Sequence, residues 1–177
     1  MSYTIVIYEN EFYKGINNLI NNLNENNVSY IDLTPSVLNL LVDDLDKLET
    51  LRIISSGGEK LTDELFNKLK KTDKRIINRY GSTETTIVSL VNNNSQDNNI
   101  GRPISNMKAY ILDNNHQLLP IEEVGELCTS GVGLSKGYLN NLELNEEKFI
   151  LNPYSQTTWD KYLYKTGDLV RYINIGG

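Results

Sequence analysis

Apolar positions in the first ninety residues switch repeatedly between two spacings. Residues 3–8 are dense in β-formers and predict a strand. Ile16, Leu19, Ile20 and Leu23 then recur three and four residues apart, as one face of a helix requires. Residues 28–33 predict a second strand. Thr34-Pro35 follows as an N-cap with proline at the first helical position, and Leu38, Leu41, Val42 and Leu45 give that helix one apolar side. A third strand is expected over 51–55, ending in Gly57-Gly58. Thr62 caps a helix that buries Leu65, Phe66 and Leu69, and Arg75-Ile76-Ile77-Asn78 closes the series as a strand. Strand and helix in alternation predict right-handed crossovers and an α/β fold built on a largely parallel sheet with flanking helices.

The pattern changes after the polar stretch 92–99. Alternating β segments are expected over 109–113, 124–130 and 168–172, with one short helix over 142–149. This half predicts a smaller β-rich lobe, a distorted barrel, with the boundary near residue 98: an α/β part over 1–98 and the β-rich lobe over 99–177. There is no internal repeat. The last strand runs into Ile175-Gly176-Gly177, a turn signal without a following strand, so the lobe reads as truncated at its C-terminal end.

Composition narrows the function classes. The net charge of −6 argues against a non-specific polyanion partner such as nucleic acid, while a small phosphate ligand remains compatible through metal and backbone dipoles. Cys128 is the single cysteine, which excludes a disulfide framework and a cysteine metal cluster and fits a cytoplasmic setting. No apolar run is long enough to span a bilayer, and residues 1–8, with no basic region before an apolar run, are not expected to be a signal peptide. Asparagine clusters at 17–27 and 92–99 read as composition bias at solvated positions. Cys128 reads as a small core residue, and His116, in a turn, as a surface residue.

Candidate chemistry collects at strand ends. In an open parallel sheet, ligands bind beyond the carboxyl ends of the strands. Three loops meet that condition: Asp32-Leu33-Thr34, Ser55-Ser56-Gly57-Gly58-Glu59, and Asn78-Arg79-Tyr80-Gly81-Ser82-Thr83-Glu84. The last is the most informative. Its glycine lets backbone N–H groups approach a ligand, its hydroxyls donate to phosphate oxygens, its carboxylate suits Mg²⁺, and its tyrosine offers a stacking face. Read singly, each loop has a plain alternative: a strand-to-helix turn at Gly57-Gly58, the start of a helix at Thr83-Glu84, a solvated turn at Asp32.

Three longer motifs occur in order: Asn78 to Thr86, then Gly125-Glu126-Leu127-Cys128-Thr129-Ser130-Gly131-Val132-Gly133-Leu134-Ser135-Lys136-Gly137-Tyr138-Leu139, then Tyr164-Lys165-Thr166-Gly167-Asp168-Leu169. Together they resemble the adenylate-forming superfamily, and most nearly the amino-acid-activating adenylation domains of nonribosomal peptide synthetases. Thr34-Pro35-Ser36, residues 51–59 and Ile100-Gly101-Arg102-Pro103-Ile104 fit the same pattern, so the resemblance covers essentially the whole chain.

The resemblance implies a two-step reaction. An amino-acid or other carboxylate attacks the α-phosphate of ATP, with Mg²⁺, giving an acyl-adenylate and pyrophosphate, and the acyl group then passes to the thiol of phosphopantetheine on a carrier-protein domain. It implies that Tyr80 flanks the adenine with Asn78 and Gly81 nearby, that Gly58 and Glu59 line the other side of that slot, that Thr83 contacts the phosphate, that Glu84 holds Mg²⁺, and that Asp168 binds the ribose hydroxyls. It places Asp32, Ser55, Gly57, Arg79, Ile87 and Val88 around the acyl side chain. Asp32 and Arg79 there imply either a pair or a polar substrate group, hence a polar amino acid over a large aromatic one. Gly131, Gly133 and Gly137 are expected to shape turns.

Ser82 stands where a proline is common, and Asn140-Asn141 near a usual Arg-Pro. The phosphate loop with its lysine, the upstream pocket aspartate and the C-terminal domain carrying the adenylation lysine have no counterpart in this stretch. It therefore reads as an internal piece of such a domain, inactive in isolation. A fragment of an acyl- or aryl-CoA synthetase and a non-catalytic remnant or interaction module remain open as alternatives.

Overall fold

The computed structural model describes residues 4–6, 15–93 and 96–173, and the chain divides into two compact units. The first comprises residues 1–79 and 92–101, the second 80–91 and 102–177.

In the first unit, helix α1 (Ile16–Glu25) leads to strand β1 (Tyr30–Leu33), helix α2 (Pro35–Leu41), a 3₁₀ turn (Val42–Lys47), strand β2 (Ile53–Gly57), helix α3 (Asp63–Leu69) and strand β3 (Arg75–Tyr80). The three strands are parallel and in register, with Ile31 beside Ile54 and Ile54 beside Ile76. The apolar faces read from spacing are the ones buried. Leu19, Ile20 and Leu23 of α1, Leu38 and Leu41 of α2, Val42 and Leu45 after it, and Leu65, Phe66 and Leu69 of α3 form one core with Ile31, Ile54 and Ile76. Each such side chain removed from water contributes about 1.5–3 kcal/mol, which is why the pattern dictates the packing. Thr62 caps α3 by accepting from Leu65 N at 3.3 Å. The strand expected over 3–8 lies largely outside the described residues, and Thr4, Ile5 and Val6 carry no regular element.

The asparagine-rich stretch is more than solvated filler. Asn92 Nδ2 donates to Asp97 O at 2.7 Å, and Asn98 Nδ2 reaches Asp63 Oδ1 at 2.7 Å and Leu61 O at 3.0 Å. Asn78 Nδ2 donates to Asn99 O at 2.8 Å. The bonds of Asn98 and Asn99 fasten this stretch to Leu61, Asp63 and Asn78.

In the second unit, a short ladder joins β4 (Leu90–Asn92) to β5 (Arg102–Pro103), antiparallel. Strands β6 (Met107–Leu112), β7 (Gly125–Gly131), β8 (Phe149–Leu151) and β9 (Tyr162–Val170) form an antiparallel sheet in the order β6-β7-β9-β8, with helix α4 (Leu142–Lys148) before β8. Among the described residues this sheet is open, not the distorted barrel expected. Leu112, Cys128 and Leu163 are its core, flanked by Tyr110, Ile150 and Tyr154. The last strand begins earlier than expected, at Tyr162, because Leu163 and Tyr164 pair with the edge strand β8 and bury. The turn signal at 175–177 lies outside the described residues. Cys128 is fully buried, and burial pushes its thiol up to about 12, so it is a core residue.

Candidate functional site

In the first unit, strand register sets the chemistry. Asp32 lies beside Ser55, and Gly57 beside Arg79, at the carboxyl ends of the three strands. Residues two apart on a strand share a face, so Asp32, Ser55, Gly57 and Arg79 occupy one face of the sheet. Arg79 Nη2 donates to Asp32 Oδ1, and the pair remains partly open to solvent. Gly57 leaves room for that reach: a Cβ there would meet the Arg79 carbonyl oxygen at 2.8 Å and its Cβ at 3.2 Å. Among the described residues, the Ser55 hydroxyl and Arg79 Nε are buried on this face without a hydrogen-bond partner. Such groups cost about 1–3 kcal/mol each, so the face stores unused polar capacity. Of the two readings of Asp32 and Arg79, the structure realises the pair.

Gly58 follows β2 with φ of 84°, and Glu59 then turns back on α2. Its carboxylate accepts from Ser36 N at 3.0 Å and Ser36 Oγ at 2.8 Å, serving the unpaired amide at the helix start. Asn78 is buried through its bond to Asn99.

In the second unit, β3 ends at Tyr80 and the chain turns through Gly81 into a 3₁₀ turn (Thr83–Thr85). Ser82 and Thr85 cap that turn reciprocally. Gly81 is required sterically, since a Cβ would overlap the Ile87 carbonyl and sit 2.8 Å from Val88 Cα. Its close neighbour is thus the returning backbone. Thr86 and Ile87 both adopt left-handed conformations, with φ of 57° and 70°; for a β-branched residue such as Ile87 that is strained backbone. Ile87 is exposed and Val88 half-buried.

The turn leaves Thr83 exposed and Glu84 half-buried. Tyr138 OH donates to Glu84 Oε1 at 2.6 Å, and Ser135 N donates to the Glu84 carbonyl at 2.7 Å. The Tyr138 bond is the main cause that holds the Glu84 carboxyl below the usual glutamate range, so it is ionised at neutral pH. The Tyr80 hydroxyl donates to Asp168 Oδ2. Burial, and then this bond, raise the Tyr80 phenol well above its ordinary value, so it remains a donor. Asp168 is exposed on β9, its N–H bonded to Thr166 Oγ1 at 3.1 Å, and Thr166 is anchored on Leu127 O at 2.7 Å. Tyr80 and Asp168 are therefore brought together, and Thr83 and Glu84 lie on the turn that follows Tyr80.

Among the described residues no three His, Cys, Asp or Glu side chains cluster as a metal site. Glu84 offers one ionised carboxylate beside the Ser82 and Thr83 hydroxyls. That donor set fits Mg²⁺, which takes one or two carboxylates and completes its shell with phosphate oxygens and water.

Residues 2–139 match the AMP-binding enzyme family. The chain belongs to that family. It is 40% identical over 149 residues, 80% of its length, to Gramicidin S synthase 2 of Aneurinibacillus migulanus, and 44% identical over 131 residues to Tyrocidine synthase 3 of Brevibacillus parabrevis. It spans 3% and 2% of the length of those two relatives. Among solved structures it resembles PA1221, a nonribosomal peptide synthetase protein with adenylation and PCP domains (TM-score 0.77, 28% identity, 88% of this chain and 33% of that one). It also resembles the Klebsiella oxytoca NpsA N-terminal subdomain in complex with 3-hydroxyanthranilyl-AMSN (TM-score 0.79, 25% identity, 89% of this chain and 40% of that one). These relatives place this AMP-binding chain with the adenylation domains of nonribosomal peptide synthetases. Sequence reasoning missed Tyr138 as a partner of Glu84: 54 residues separate them, and no local spacing marks a contact of that range.

Proposed function

We propose that the chain is part of an ATP-dependent adenylation domain that activates an amino acid or related carboxylate as its adenylate and delivers it to the phosphopantetheine thiol of a carrier domain. The observation that carries this reading is the Tyr80–Asp168 contact, which joins the first and third family motifs within the second unit. In this reading Tyr80 and Gly81 face the adenine, Asp168 accepts from the ribose hydroxyls, Thr83 donates to phosphate and Glu84 holds Mg²⁺. The cation, when bound, offsets charge on the phosphate oxygens. A carboxylate can accept two hydroxyl donors at once, which suits a ribose diol at Asp168. Gly58, Glu59 and Asn78 are proposed to lie on the nucleotide side.

Asp32, Ser55, Gly57 and Arg79 are proposed to meet the substrate side chain, with Ile87 and Val88. A polar side chain suits the unused Ser55 hydroxyl and Arg79 Nε; an aromatic one leaves both unpaired. No helix among the described residues is long and apolar enough to cross a membrane. A cytoplasmic site, where ATP is supplied, fits the proposed chemistry.

The test is ATP–pyrophosphate exchange by the full-length gene product across a panel of amino and aryl acids, followed by acyl transfer to a carrier domain or to coenzyme A. Substrate-dependent exchange with carrier loading supports the reading. Transfer to coenzyme A indicates an acyl- or aryl-CoA synthetase, and no exchange with no AMP binding indicates a non-catalytic module. The 177-residue stretch alone is expected to give no exchange, since it contains neither a Ser/Thr/Gly-rich phosphate loop nor the family's C-terminal lysine.

A further inference from the structure

The glycine-rich segment Gly131 to Leu139 closes on the turn that carries Glu84 through three bonds. Ser135 N donates to the Glu84 carbonyl at 2.7 Å, Thr86 Oγ1 donates to Gly133 O at 2.7 Å, and Tyr138 OH donates to Glu84 Oε1 at 2.6 Å. The segment is itself pinned. Asn145 Oδ1 accepts from Tyr138 N at 2.6 Å while its Nδ2 donates to Tyr138 O at 2.9 Å. Gly137 makes that clasp possible, because it sits at φ of 114° and a Cβ there would come within 2.9 Å of Asn145 Cγ. The Tyr138 ring packs edge-on against Phe149, with centroids 5.8 Å apart. Phe149 in turn lies 5.1 Å from the buried Tyr164 ring. The Asn145 clasp fixes the Tyr138 backbone, and from there the hydroxyl reaches the Glu84 carboxylate.

We propose that Tyr138 is a positioning residue: its hydroxyl holds one oxygen of the Glu84 carboxylate and aims the other at the divalent cation. The proposal rests on the reading of Glu84 as the cation-holding carboxylate. A lone carboxylate on a 3₁₀ turn rotates about its side-chain torsions, and Mg²⁺ demands near-ideal geometry, so a fixed second partner on the ligand raises affinity. The glycines of this segment then serve the site indirectly, as the frame that brings Tyr138 to Glu84, and make no phosphate contact themselves.

The test compares Tyr138→Phe, Glu84→Gln and Phe149→Leu in the full-length gene product. Mn²⁺ binding is read by electron paramagnetic resonance with a non-hydrolysable ATP analogue present, alongside the Mg²⁺ dependence of exchange. Tyr138→Phe is expected to weaken Mn²⁺ binding and raise half-saturating Mg²⁺ by roughly tenfold, with a smaller fall in the rate at saturating Mg²⁺. Phe149→Leu, which loosens the ring packing but removes no hydroxyl, is expected to leave cation affinity within about twofold. Unchanged Mn²⁺ affinity in Tyr138→Phe, when Glu84→Gln weakens it, overturns the proposal and spares the reading of Glu84. Unchanged affinity in Glu84→Gln overturns both. An equal loss in Phe149→Leu assigns the effect to packing and also overturns it.

Discussion

Tyr80 donates its hydroxyl to the carboxylate of Asp168, 88 residues further along the chain. The same carboxylate is the proposed acceptor for the ribose diol, so without ligand the tyrosine fills one of its lone-pair directions. Asp168→Asn converts that acceptor to a group with one donor and one acceptor end, and is expected to weaken AMP binding by about tenfold or more, as loss of a hydrogen bond to a charged group does. Tyr80→Phe keeps the ring and removes the competing donor, and is expected to leave affinity within about threefold. Titration calorimetry with AMP on the full-length gene product checks both. Equal losses in the two variants would show that the hydroxyl itself binds nucleotide.

Gly81 tests the turn. An added Cβ overlaps the Ile87 carbonyl, and the obstacle is backbone, which cannot step aside like a flexible side chain. Gly81→Ala is expected to cost about 1–3 kcal/mol by overpacking and to displace Thr83 and Glu84. The expected outcome is a thermal midpoint lower by several degrees and exchange reduced by more than about tenfold, beyond what instability alone explains. Scanning calorimetry and exchange at a temperature well below both midpoints separate the two effects.

Much of this was legible in the chain. Leu38, Leu41, Val42 and Leu45 announce their buried face by spacing, and Thr62 announces its cap, because helix periodicity and capping are local. The convergence of Asp32, Ser55 and Arg79 followed from parallel topology alone. The Tyr138–Glu84 bond and the bonds of Asn98 to Asp63 and of Asn78 to Asn99 were not legible, since they join residues remote in sequence through polar groups that carry no period. The open sheet and early start of β9 escaped for a related reason: Leu163 and Tyr164 bury by pairing with β8, a three-residue edge strand too short to leave a pattern.

Arg79 tests selectivity. Its pair with Asp32 is partly exposed and contributes about 0–1 kcal/mol to stability. Arg79→Ala should therefore fold normally. It leaves the Asp32 carboxylate without its cation on a face proposed to meet the substrate. Wild type is expected to favour polar amino acids over Phe and Trp in exchange; Arg79→Ala is expected to lower the rate with the preferred substrate by about tenfold and to narrow that preference. Wild-type preference for Phe or Trp would refute the polar assignment.

Asp160 supplies a pH-dependent lock in the second unit. Its side chain is fully buried and accepts from Lys108 Nζ at 2.5 Å, Thr157 N at 2.8 Å, Thr157 Oγ1 at 2.8 Å and Ser155 Oγ at 2.9 Å. The bond from Lys108 is the largest cause holding its carboxyl well below the ordinary value of 3.8, and the Thr157 and Ser155 donors add to it. Because the folded value is depressed, the stabilisation is fully present above the ordinary carboxylate range and is lost as pH falls through that range towards the folded value. Asp160→Asn removes the charge and mismatches at least one of those donors, so at pH 7 its thermal midpoint is expected to fall by about 5 °C or more. The gap to wild type should then shrink as pH drops from 5 to about 3, since only wild type loses this contribution there. Thermal melts of both proteins across that pH range decide the point: a gap that stays constant with pH would mean that the Asp160 charge adds nothing to folding.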